Sequence, residues 1–108
     1  MKTHAVAEIL GLRTAAGSIP EEFGGVYAGD LLSRAMSHVT EGDLWITIMS
    51  NVNVIAVASL AEAAAVILAE GVTMDADVLA AAEAKGVAVF TCDKTVYEIC
   101  RDIAATMS

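Results

Sequence analysis

A chain of 108 residues, 56% of them apolar and only one a proline, has the length and composition of one folded domain and not of a disordered segment. Fourteen acidic residues against six basic ones leave a formal charge of -8. Lys2, Arg13, Arg34, Lys85, Lys94 and Arg101 are scattered, so the clustered cations that release counterions from phosphates are missing, and neither nucleic acid nor a membrane is an expected partner.

The longest uncharged stretch, residues 44–61, is long enough to raise a membrane span. Ser50, Asn51, Asn53 and Ser59 lie within it, and unpaired polar groups in lipid are too costly for that reading. Glu8 stands where a secretory leader needs apolar residues, so no export signal is expected and the cytoplasm is the expected location. Cys92 and Cys100 fit neither a zinc-ligand spacing nor a redox CxxC pair; reduced thiols and no disulfide are expected.

Taken in chain order, Val6, Ile9 and Leu10 recur at helical spacing and predict a helix over 3–10, with Thr3 as its N-cap and Gly11 as its stop. A first strand over 12–16 is followed by a loop containing Pro20 and a glycine-rich extended segment over 23–29. Asp30 is placed to cap the next helix, 31–38, whose apolar face is Leu32, Ala35, Met36 and Val39. After a turn at 40–43, residues 44–49 and 54–58 are apolar and β-branched and predict two buried strands with a polar break between them. Ser59 and Glu62 have the spacing of a capping box and predict the start of a short helix. Next come an apolar run at 66–69, a helix over 75–85 closed by Gly86, and a strand over 87–91. The last helix has a second capping box, Thr95 and Glu98, and a stripe of Val96, Ile99, Cys100, Ile103, Ala104 and Met107. This alternation predicts an α/β fold: a single compact domain over residues 1–108, with a mainly parallel twisted sheet and helices packed on its faces.

Gly24 and Gly29 have the spacing of a phosphate-binding loop, but Asp30 and Leu31 stand where a lysine and a hydroxyl are needed, so the glycines are read as permitting a tight turn. His4 and His38 are far apart with no Cys or carboxylate at ligand spacing, and no metal is expected; His38 suits a helix C-terminus. Cys92 is the one nucleophile at a strand end before a helix, yet Asp93 beside it disfavours a thiolate. Ser50, Asn51 and Asn53 lie between strongly apolar segments and must hydrogen-bond to something if covered. They are either a ligand site at a strand end or a turn that satisfies itself.

Three runs, Phe23-Gly-Gly-Val-Tyr-Ala-Gly-Asp-Leu-Leu-Ser33, Glu41-Gly-Asp-Leu-Trp-Ile-Thr-Ile-Met49 and Asn53-Val-Ile-Ala-Val-Ala58, together resemble the DRTGG domain over nearly the whole chain. The signature pentapeptide is represented by Glu21-Glu-Phe-Gly-Gly25 or a register near it, without its Asp, Arg and Thr. Asn51 stands where members often have a histidine, while Asn53 fits the pattern. The resemblance implies a fold similar to the N-terminal domain of the HPr kinase/phosphorylase, in a domain that accompanies CBS pairs or phosphotransacetylase-type enzymes. It also implies a regulatory role through ligand binding or dimerisation. That kinase holds its phosphate loop in a separate domain, and these residues contain none, so kinase activity is not expected.

The expectation is therefore a non-catalytic regulatory or assembly module that senses a small metabolite or nucleotide, with Gly24, Gly25, Tyr27, Asp30, Ser50, Asn51 and Asn53 as ligand-binding candidates. Expected partners are a second copy in a homodimer, a small-molecule ligand, and a protein such as a metabolic enzyme or a CBS-type regulator; no cofactor is expected. The alternatives are a small enzyme of unknown substrate using Cys92, or the acidic pair Asp30 and Asp43, and a structural subunit of a larger complex.

Overall fold

A computed structural model describes residues 2–107. Ten elements follow one another: α1 (Thr3–Leu10), β1 (Arg13–Ala16), β2 (Gly25–Ala28), α2 (Leu32–His38), β3 (Asp43–Thr47), α3 (Val52–Ala61), β4 (Ala65–Leu68), α4 (Ala76–Lys85), β5 (Val89–Thr91) and α5 (Val96–Met107). The five strands form one sheet in the order β1-β5-β4-β3-β2, with β2 to β5 parallel and β1 antiparallel at the far edge. The expected mainly parallel α/β architecture is what forms.

Side-chain alternation divides the core in two. Trp45, Val66, Leu68 and Val89 face a layer made by α2, α3 and α4, whereas Leu44, Ile46, Ile67 and Phe90 face α1 and α5. Burial on both faces explains why β3 and β4 read as continuous apolar runs and not as alternating ones. Successive crossovers of one hand move the chain steadily from β2 to β5, which keeps the three connecting helices on one side.

Local signals placed several elements well. Gly11 and Gly86 take left-handed conformations, φ 65° and 70°, just past α1 and α4, as helix-stopping glycines do. At α5 the capping box closes reciprocally, with Thr95 N-H donating to Glu98 Oε1 (2.9 Å) and Glu98 N-H donating to Thr95 Oγ1 (3.1 Å).

Four expectations give way. Residues 54–58 are not a strand; they form the middle of α3, and the break before them is a strand-to-helix connection. A short apolar run carries no periodicity that separates strand from buried helix. Here Asn51 tips the balance by capping the helix, its Oδ1 accepting from Asn53 N-H at 2.9 Å. Ser59 and Glu62 do not open a helix but close α3, with Glu62 in a left-handed conformation (φ 57°) past its end. Thr3 is the first residue of α1 and not its cap, and its hydroxyl is buried without a partner. On the helical stripes, Ala35, Val39, Ile99 and Ile103 are buried as expected, but Met36, Ala104 and Met107 face outward.

Candidate functional site

Because β2 and β3 are parallel neighbours, the segments that follow them emerge side by side at the C-terminal edge of the sheet, where open α/β sheets bind ligands. The first segment carries Asp30 and the second Ser50, Asn51 and Asn53. Asp30 does not cap α2, since Leu31 holds the position before that helix. Instead its Oδ1 accepts from Thr47 Oγ1 (2.8 Å) and from Ile48 N-H (2.9 Å), and Thr47 Oγ1 accepts in turn from Met49 N-H (3.1 Å). Two further bonds clamp the loop: Trp45 Nε1 donates to the Gly29 carbonyl and Gly29 N-H to the Ile46 carbonyl, both at 3.1 Å.

The network is closed for Thr47 and for Asn51, whose amide oxygen caps α3. The half-buried Ser50 and the exposed Asn53 remain at the surface beside it. Leu31, Ile48 and Val52 add exposed aliphatic area at this edge. Few polar groups set in an apolar surround is the usual composition of a small-molecule site. Thr47 and Ile48 were missed from sequence because they lie inside an apolar run, and Leu31 and Val52 because aliphatics beside polar residues carry no signal; their position only matters once β2 and β3 are paired.

The remaining candidates lie elsewhere. Gly24 and Gly25 enter β2 at the opposite, N-terminal edge, where Gly24 N-H donates to the Gly42 carbonyl (2.9 Å). A Cβ on Gly25 would come within 2.8 Å of Asp43 Oδ1, so close strand approach explains that glycine. Residues 24–29 are mostly strand, which rules out a phosphate loop there. In the signature register, Phe23 is buried in the core on the α1 and α5 side. Tyr27 packs on the α2 side of the sheet and stacks on His38, ring centroids 6.1 Å apart. His38 closes α2, its Nδ1 2.9 Å from the Arg34 carbonyl, a structural use at a helix C-terminus. His4 lies in α1, on the other side of the sheet, and its side chain is outside the described residues. Among the described residues no group of three or more His, Cys, Asp or Glu could hold a metal ion.

The residues considered for catalysis do not meet. Asp43 begins β3, where its Oδ2 accepts from Thr40 N-H (2.9 Å) and Thr40 Oγ1 (3.1 Å), while Asp30 bonds to the residues that end the same strand. Four residue steps along a strand put them about 13 Å apart. Cys92 is 1% exposed and its thiol donates to the Leu10 carbonyl at 3.5 Å. Asp93 is turned to Arg13 in an exposed ion pair (2.9 Å), whose hydrogen bond and charge hold the carboxyl below its ordinary range. Both cysteines are free, and burial raises the Cys100 thiol, away from reactivity. Two clefts open on the helix layer: one of about 150 Å³ between α2 and α3, lined by Met36, Val39, Val57, Leu60 and Ala61, and one of about 250 Å³ between the C-terminal ends of α3 and α4.

The DRTGG domain family matches residues 7–106. The chain belongs to that family. Its fold recurs in the CBS and DRTGG domains of the regulatory region of a Clostridium perfringens pyrophosphatase, solved with its activator, diadenosine tetraphosphate. The two superpose with a TM-score of 0.75 at 15% identity, over 94% of this chain and 45% of that one. This DRTGG chain therefore spans less than half of the pyrophosphatase region, and at such identity the likeness is one of fold. No curated protein sequence matches it. Among the described residues no helix of this DRTGG domain is long and apolar enough to cross a membrane.

Proposed function

We propose that residues 1–108 are one DRTGG domain acting as a non-catalytic regulatory or assembly module in the cytoplasm. It senses a small metabolite or nucleotide at the C-terminal edge of the sheet and responds by dimerising or by docking on a CBS-type regulator or a metabolic enzyme. The observation that carries this reading is the pairing of β2 with β3, which ties Asp30 to Thr47 and Ile48 at the C-terminal edge, just before Ser50, Asn51 and Asn53 in the chain and beside exposed Leu31, Ile48 and Val52. Support also comes from the pyrophosphatase region of like fold, which is regulatory and was solved with a nucleotide activator. Gly24, Gly25 and Tyr27 drop out of the proposed site, because the glycines lie at the opposite edge of the sheet and Tyr27 stacks on His38.

Isothermal titration of the chain with AMP, ATP, diadenosine tetraphosphate and a panel of central metabolites tests the sensing role. A ligand that binds at this edge loses about 2- to 10-fold in affinity on Asn53→Ala or Ser50→Ala, the worth of one hydrogen bond of about 0.5–1.5 kcal/mol. Saturation at about 100 times the dissociation constant raises stability by about 2.7 kcal/mol in a parallel melting experiment. Absence of binding across the panel up to about 1 mM removes the sensing half of the reading.

A further inference from the structure

The layer of α2, α3 and α4 has an odd middle member. α3 carries no charged residue from Val52 to Ala61, and its inner side, Val54, Ile55, Val57 and Ala58, is core. Its outer side is also apolar: Val52, Ala56 and Leu60 stand at i, i+4 and i+8, with Val52 51% and Leu60 83% exposed. An apolar stripe on a helix is normally turned towards something that covers it, and on the outer side of α3 only Asn53 and Ser59 interrupt the apolar surface. Beside Leu60 lies the cleft of about 150 Å³ between α2 and α3, rimmed by Met36, which is 62% exposed. A cavity of about that size holds a benzene molecule in another protein, so it has room for one branched aliphatic side chain.

We propose that this face is covered by a second copy of the chain, in a two-fold arrangement in which Leu60 of each copy enters the α2-α3 cleft of the other. The proposal rests on the docking reading above and names the surface that performs it. A two-fold interface needs protrusion and hollow on the same patch, since each residue contact occurs twice, and here the two adjoin. Charge points the same way. Two chains of net charge -8 repel each other wherever their acidic surfaces meet, and the α3 stripe has nothing to repel.

Sedimentation equilibrium from about 1 µM to about 1 mM covers the range of weak self-association. The expected result is a wild-type dimer, weakened at least about tenfold by Leu60→Glu and by Met36→Glu and unaffected by Ile9→Glu, an exposed apolar position on α1. Circular dichroism melting shows whether each variant stays folded, and Leu60 is so exposed that Leu60→Glu alone decides if Met36→Glu does not fold. A wild-type dimer that Leu60→Glu leaves intact overturns this surface while the docking reading stands. A monomer throughout removes self-association from that reading as well.

Discussion

α3 and α5 carry the same type of capping signal and nearly the same length, yet the signal starts one helix and ends up at the tail of the other. At α5, Thr95 and Glu98 precede a segment with a single apolar stripe that buries Ile99 and Ile103 against the sheet. At α3, Ser59 and Glu62 come at the end of a segment without a charged residue and with apolar side chains both buried and exposed, and Asn51, eight residues before Ser59, does the capping. The difference teaches that a capping motif has meaning only relative to where the buried face begins. It also ties legibility to exposure: the helix that hides its period is the one that keeps Val52 and Leu60 exposed.

The comparison breaks first on core packing. Ile55→Ala on α3 and Ile99→Ala on α5, both fully buried, each lower stability by about 2–5 kcal/mol in urea denaturation. A loss well under that at Ile55 means α3 is not the core helix described. Next come the caps. Thr95→Ala and Asn51→Ala each cost about 0.5–2 kcal/mol, while Ser59→Ala stays within about 0.5 kcal/mol. Equal losses at Ser59 and Thr95 in the same denaturation series erase the contrast between the two motifs.

The smallest effect concerns pH. The Thr95 N-H and hydroxyl hold the Glu98 carboxyl below its ordinary value of 4.5. A carboxyl depressed in the folded state contributes stability in full above its unfolded value and loses it as pH falls through the folded one. The advantage of wild type over Glu98→Gln is therefore largest near neutrality and shrinks below pH 4.5, read as the gap between denaturation midpoints in acid and at neutral pH. A gap that widens in acid reverses the sign and refutes the cap.

At the candidate site, the segments after β2 and β3 were legible as polar breaks in apolar sequence, and Ser50, Asn51 and Asn53 stood out as amides and a hydroxyl that had to find partners. Asn51 found one locally, as a cap. The partner of Asp30 was not legible, because Thr47 lies 17 positions away and meets it only across paired strands. The two glycines that looked like a phosphate loop belong to a strand, where Gly25 makes room for Asp43.

What the chain states locally is whatever is settled within one turn: where glycine ends α1 and α4, where Thr95 begins α5, and that Ile99 and Ile103 of α5 face inward. Those depend on backbone conformation and on a period that one polar face makes visible. Only the assembled sheet brought Asp30 to Thr47 and left Leu60 exposed beside a cleft. Each of these depends on which strand lies next to which, and pairing across the sheet is a property of the assembled core that no single segment encodes.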